Sequence, residues 1–240
     1  MDIHIIPVLD DNYSFVLHSA DQNFTAVIDP GDAAPISDFL DDKGWALDMV
    51  INTHHHHDHI SGNQALVDKY KAKLAAPKLE AERIGGVDIE LDESITDFTL
   101  GGEAVQIFDT PGHTAGHICF YIPKSRALFA GDTLFSMGCG RLFEGTAEDM
   151  YNSVNKFKDL PDETRLYCGH EYTQSNGEFA LDLFEGLEIL GMRTQMVAAM
   201  LRKNQPTIPV TMGLEKQTNP FLLAENVKQF ALYRKMKDNF

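Results

Sequence analysis

The sequence predicts an α/β segment followed by a helical tail, and three observations carry that expectation. Short runs rich in β-branched and aromatic residues recur as far as about residue 170, several of them followed by segments with helical spacing. Beyond that point such runs stop and apolar residues return at intervals of four. Histidines and aspartates gather where the strand-like runs end.

Taken in order, "SFVL", "FTAVID" and "DMVINT" read as strands separated by turn residues. "GNQALVDKYKAKL" reads as a helix in which Ala65, Leu66, Lys69 and Tyr70 begin a one-sided stripe. "EAVQIFDT", "HICFYI", "ALFAGDT" and "RLYCGH" are further strands. In the tail, "GEFALDLFEGLEIL" places Phe179, Leu183 and Leu187 on one face, and "MRTQMVAAMLRKN" does the same for Met192, Met196 and Met200. The methionine stripe is expected to be core packing, because methionine fills irregular gaps between helices. "NQPTIPVTMGLEKQTNP" reads as a long ordered loop, and "AENVKQFALYRKMKDNF" as a last helix carrying basic residues. The expected boundary is at residues 170/171, with residues 1–170 catalytic and 171–240 a helical, substrate-binding domain.

Composition narrows the function classes. A chain of 240 residues with 43% hydrophobic content can fill a sizeable core. Its formal charge of −16 argues against nucleic acid or an anionic membrane as partner, since both attract basic surfaces. No basic segment leads into an apolar run at the amino terminus and no membrane-length apolar stretch occurs, so a cytoplasmic location is expected. Cys119, Cys139 and Cys168 form no C-x-x-C pair, which points to reduced thiols and away from a disulfide framework or a cysteine zinc cluster.

Four strand ends present candidate ligands: "MVINTHHHHDH", "IFDTPGHTAGH", "LFAGDT" and "LYCGHE". The stretch Thr53 to His59 holds five histidines and an aspartate. Alternate residues of an extended segment share a side, so His54 and His56 can form a chelate, while Asp58 and His59 turn toward a second cation about 3.5 to 4 Å from the first. Packing these rings without metal would leave many donors and acceptors to satisfy and would bring repulsion on protonation. Imidazole with carboxylate suits zinc, iron or manganese. His4, His18 and His117 are expected to be structural, Asp29 in "VIDPGD" to serve a turn or to support a ligand, and the glycines of "GCG" to permit a tight turn.

"THHHHDH", "TPGHTAGH", "GDT" and "CGHEYT", in this order, resemble the metallo-β-lactamase superfamily over nearly the whole chain. Within it, "GDTLFSMGCGRLFEGT", "YCGHEYT" and "TNPFLL" resemble glyoxalase II, the hydroxyacylglutathione hydrolases. That resemblance implies a four-layer αββα sandwich with a C-terminal helical domain, and a monomer. Carried over by position, His54, His56 and His113 hold one metal, Asp58, His59 and His170 the other, and Asp132 bridges them. It implies two divalent ions, with Zn2+ first and iron or manganese as alternatives. Such a pair makes hydroxide available at neutral pH and stabilises the oxyanion of an acyl transfer, with Asp58 also able to orient the nucleophile and take its proton.

The implied substrate is a glutathione thioester, chiefly S-D-lactoylglutathione, cleaved to a 2-hydroxy acid and glutathione in methylglyoxal detoxification. Its binding residues map onto Arg141, Phe143, Tyr172, Arg234 and Lys237. Arg141 stands where a lysine is common and Phe143 where a tyrosine hydroxyl is often found, so affinity is expected to change without a change of reaction. "YRKMKD" supplies cations that an anionic substrate needs when it approaches a chain of charge −16. The rival readings are a mononuclear-iron glutathione persulfide dioxygenase, an acyl homoserine lactonase, a β-lactamase, which usually carries cysteine at the place of Asp132, and a metal-binding protein without catalysis.

Overall fold

Asp2–Val8 (β1) and Asn12–Ser19 (β2) pair antiparallel with Ile5 opposite Phe15. Their turn places Leu9 in the left-handed region. Phe24–Ile28 (β3) pairs antiparallel with β2, after which the chain crosses over through Ala33–Lys43 (α1) to Met49–Ile51 (β4), parallel to β3. Asp32 caps α1 by accepting from Ala34 N–H, and Gly44 ends it in the left-handed conformation. His57–Ile60 (α2) and Asn63–Tyr70 (α3) lead to Lys73–Pro77 (β5), followed by Ala81–Ile84 (α4) and Ile89–Leu91 (β6), completing a six-stranded sheet in the order β1 to β6. Val16, Val27, Val50 and Leu74 of this sheet pack on Ile36 and Leu40 of α1 and Leu66 of α3, with Phe39 and Trp45 beside them. Thr99–Leu100 (β7) pairs with Glu103–Ala104 (β8), and Gln106–Asp109 (β9) with Ile118–Ile122 (β10), both antiparallel.

These strands and helices lie in one of two units into which the computed structural model, covering all 240 residues, divides the chain: Met1–Asp109 with Gly116–Ser125. Thr110–Ala115 and Arg126–Phe240 form the other. There, Ala127–Gly131 (β11) pairs parallel with Arg165–Cys168 (β14), which pairs antiparallel with Val210–Thr211 (β15). A hairpin of Leu134–Phe135 (β12) and Gly138–Cys139 (β13) follows β11, and Ala147–Asn155 (α5) starts from a capping box made by Thr146 and Asp149. Thr173–Leu183 (α6), Glu188–Leu201 (α7), Met212–Thr218 (α8), Pro220–Leu223 (α9) and Val227–Asp238 (α10) make up the helical end. No helix is long and apolar enough to cross a membrane.

Four sequence expectations change. The helix read over "GNQALVDKYKAKL" stops at Tyr70: Lys71 turns left-handed, and "KL" already belongs to β5. The break in the tail falls inside "GEFALDLFEGLEIL", at Phe184 to Leu187, where Gly186 adopts φ 83°. Met192 and Met196 are 65% and 55% exposed, so the methionine stripe is not core; α7 buries Leu190, Arg193 and Val197 instead. "NQPTIPVTMGLEKQTNP" is no loop, because it contains β15, α8 and the start of α9, with Thr211 capping α8 and Asn219 capping α9.

Candidate metal centre

In the first unit the histidine loop leaves β4 and is held by a carboxylate one strand away. Asp29, at φ 50° after β3, accepts from Thr53 N–H at 2.8 Å and Thr53 Oγ1 at 2.7 Å, and from His59 Nδ1 at 3.1 Å. Thr53 Oγ1 spends its proton on Asp29 and therefore accepts from His54 Nδ1 at 3.0 Å. Asp58 is oriented by Asn12, whose Nδ2 donates to Asp58 Oδ2 at 2.8 Å. His55 Nδ1 lies 2.8 Å from Glu80 Oε2, and the ring of His117 stacks on His54 at 4.9 Å.

The second unit contributes His113, Asp132 and His170. His113 Nδ1 donates to the carbonyl of Arg141 at 2.8 Å. Nε2 of His113 and Nε2 of His170 each stand 3.3 Å from the same oxygen, Asp132 Oδ2. Asp132 sits just past β11, and the close approach of the next loop requires a glycine. A Cβ on Gly140 would meet the Asp132 carbonyl oxygen at 1.9 Å and His113 Nδ1 at 3.1 Å. Gly140 is thus needed for approach, a demand stronger than the turn geometry expected of "GCG".

Proton placement tests whether these residues suit cations. His54, His59 and His113 each give their Nδ1 proton to an outer acceptor, which leaves a bare lone pair on Nε2. In His59 and His113 that lone pair faces a carboxylate oxygen, Asp58 Oδ2 at 3.5 Å and Asp132 Oδ2 at 3.3 Å. Lone pair against carboxylate is repulsive, most strongly for the buried His113–Asp132 pair, and a cation between them reverses the sign. The donor set fits divalent metal. Ligand atoms of Asp29, His54 and His59 also lie within 4.8 Å of one another. We read Asp29 as the support and not a ligand, because both its oxygens are already engaged by Thr53 and His59.

The residues expected at the substrate side all lie in the second unit. Arg141 is 60% exposed and reaches Asp238 at 3.5 Å. Phe143 is 61% exposed with its edge against His113, ring centroids 5.2 Å apart. Tyr172 stacks on His170 at 4.7 Å with planes 5° apart. Arg234 is buried, with Nη1 donating to the Cys139 carbonyl at 2.8 Å and Nε and Nη2 to Asp238 at 3.1 and 2.9 Å. Lys237 Nζ donates to the carbonyl and hydroxyl of Ser175 at 2.9 and 2.7 Å. Burial, reinforced by the charge of Arg234, lowers its pKa to about 8. Burial also pushes the Cys139 thiol up to about 11, so it stays protonated at neutral pH.

Sequence reasoning missed Asn12 and Glu80. The turn residues "DDNY" were a weak signal for Asn12, and Glu80 has none, because its partners are 25 and 36 positions away.

Residues 8–170 match the metallo-β-lactamase superfamily, and residues 171–240 match the hydroxyacylglutathione hydrolase C-terminus. Over 240 residues, the whole of both chains, the sequence is 43% identical to the hydroxyacylglutathione hydrolase of Pelagibacter ubique (strain HTCC1062). The chain belongs to the hydroxyacylglutathione hydrolases. Its metallo-β-lactamase fold is shared with ETHE1 from Myxococcus xanthus, at TM-score 0.74 and 21% identity over 98% of this chain and 90% of that one. TTHA1623, solved in a di-iron-bound form, is similar at TM-score 0.57 and 25% identity, over 71% of this chain and 92% of that one. In this hydrolase family member, each unit thus brings its own group of imidazole and carboxylate donors, a set suited to two divalent ions.

Proposed function

We propose that the chain hydrolyses S-(2-hydroxyacyl)glutathione thioesters, chiefly S-D-lactoylglutathione, to a 2-hydroxy acid and free glutathione in methylglyoxal detoxification. The carrying observation is that residues 171–240, and not only the histidine motifs, match a hydroxyacylglutathione hydrolase. Metal motifs alone are shared by enzymes of many substrates. Residues 1–170 are the catalytic domain on this reading and 171–240 the helical substrate domain.

His54, His56 and His113 would hold one cation and Asp58, His59 and His170 the second, with Asp132 serving both. When bound, the ions acidify water to a pKa of about 7 and polarise the acyl oxygen, and Zn2+ is our first assignment ahead of iron or manganese. The chain's own groups do the rest. Asn12 sets the Asp58 carboxylate through Oδ2, and Asp58 takes the proton released by the attacking water. Asp29 and the Arg141 carbonyl keep the Nδ1 protons of His59 and His113 in place, so Nε2 stays a lone-pair donor.

Arg141, Tyr172, Arg234 and Lys237 receive the glutathione part, and Phe143 offers an apolar edge. Arg141 is exposed, and Lys237 has a third N–H beyond the two given to Ser175, so both can meet a carboxylate without breaking a buried contact. We place the enzyme in the cytoplasm as a monomer, in keeping with three buried free thiols.

The test is an anaerobic assay on protein of known metal content, following thioester loss and thiol release together before and after chelation. Expected is turnover without oxygen, lost with the metal and restored by Zn2+, iron or manganese. Metal-loaded protein that leaves the thioester intact but consumes oxygen with glutathione persulfide would establish the dioxygenase reading instead.

A further inference from the structure

Glu80 is 2% exposed, follows β5, and is used by no step above. A buried carboxylate is tolerated where donors satisfy it. Its Oε2 accepts from His55 Nδ1 at 2.8 Å, and its Oε1 accepts from the Gly116 N–H at 2.9 Å. Room for this is made on purpose by a missing side chain: a Cβ on Gly116 would stand 2.6 Å from Glu80 Cγ and 2.8 Å from Leu79 Cβ. His55 lies between His54 and His56. Gly116 directly precedes His117, whose ring stacks on His54 with centroids 4.9 Å apart and planes at 26°. One carboxylate therefore grips the chain on both sides of His54, the histidine loop on one and its stacking partner on the other.

We propose that Glu80 is a positioning residue for the His54–His56 chelate, acting through His55 and through Gly116 and His117. The proposal rests on the metal assignment under Proposed function. Elsewhere in the loop Thr53 sets His54, Asp29 sets His59 and Asn12 sets Asp58. Glu80 supplies the corresponding anchor for the segment between His54 and His56. Its loss is therefore expected to loosen one cation more than the other.

The experiment is a competition titration of the full-length, Zn2+-loaded protein with a chromophoric chelator, giving the number of zinc equivalents and the affinity of each. Glu80→Ala should weaken one equivalent by about 10- to 100-fold and leave the other within about three-fold of wild type. Glu80→Gln should restore most of the loss, because its amide oxygen can take the Gly116 N–H while its NH2 donates to the other tautomer of His55. Gly116→Ala keeps the carboxylate but displaces it, so it should reproduce the one-equivalent loss if Glu80→Ala does not fold. Unchanged affinities in Glu80→Ala or Gly116→Ala would overturn the proposal, as would equal weakening of both equivalents alongside a lower Tm. Failure of the parent reading looks different. Wild type holding fewer than two equivalents would sink the metal assignment and this proposal with it, whereas two tight equivalents without thioester cleavage would sink the substrate and leave the Glu80 result standing.

Discussion

Lys237 owes its depressed pKa, about 8, first to burial and then to the charge of Arg234, with Glu178 opposing both. Its ammonium is thus present at neutral pH and is lost as pH rises through about 8. Because glutathione thioesters are anionic, their KM should rise between about pH 7 and pH 9. Lys237→Arg should flatten that rise, since a guanidinium stays charged. The sign for stability is the opposite one. A folded pKa below the unfolded 10.5 means that the half-buried ammonium opposes folding below about pH 8, and the opposition fades as pH climbs toward 10.5. A KM independent of pH over this range would remove Lys237 from the substrate site. The donors of Arg234 on Asp238 and on the Cys139 carbonyl tie it to the backbone just before Arg141.

Helices α7 and α8 are joined by a buried ion pair that also reaches the β12–β13 hairpin. Arg193 bonds Glu215 and Thr218 and donates to Ser136 Oγ at 2.9 Å. Glu215 Oε2 accepts from Met137 N–H and from Asn219 Nδ2, both at 2.9 Å. Asn219 Nδ2 also donates to the carbonyls of Phe135 and Gly138 at 3.0 Å. Arg193→Met would strand the Glu215 charge, and a loss of about 3–5 kcal/mol is expected in urea unfolding at fixed excess metal. A loss below about 1 kcal/mol would mean that the Asn219 hydrogen bonds and packing hold the hairpin without help from the ion pair. This pair also explains what the sequence hid. Met192, Met196 and Met200 repeat every fourth residue, but so do neighbouring positions, and periodicity names a face without saying which one a distant partner covers. Glu215 decides it, turning Arg193 inward and Met192 and Met196 out. Pro206, Pro209, Gly213 and Pro220 likewise make the 204–220 stretch look like loop, whereas caps and this ion pair hold a helix there. The β-branched strands and the histidine-rich stretch from Thr53 to His59 were legible because their signals are local. Asn12 and Glu80 were not, since each acts on a partner far along the chain.

A charge of −16 opposes the approach of an anionic thioester, and two divalent ions reduce that field without reversing it. On the proposed assignment, attraction is local, from Arg141 and Lys237, and works only at short range. The two effects separate by distance, because the screening length falls from about 30 Å at 0.01 M salt to about 10 Å at 0.1 M. Long-range repulsion is thus screened first, while contacts of about 3 Å persist. Raising salt from about 0.01 to 0.1 M should therefore increase kcat/KM for S-D-lactoylglutathione, through faster association and with kcat unchanged. Enzymes steered by complementary charge show the reverse. Arg141→Ala should steepen the increase, since it deletes local attraction and leaves the repulsion. A fall in kcat/KM with salt in the wild type would show that the cations near the site dominate the approach, and that the net charge of the chain is directed elsewhere.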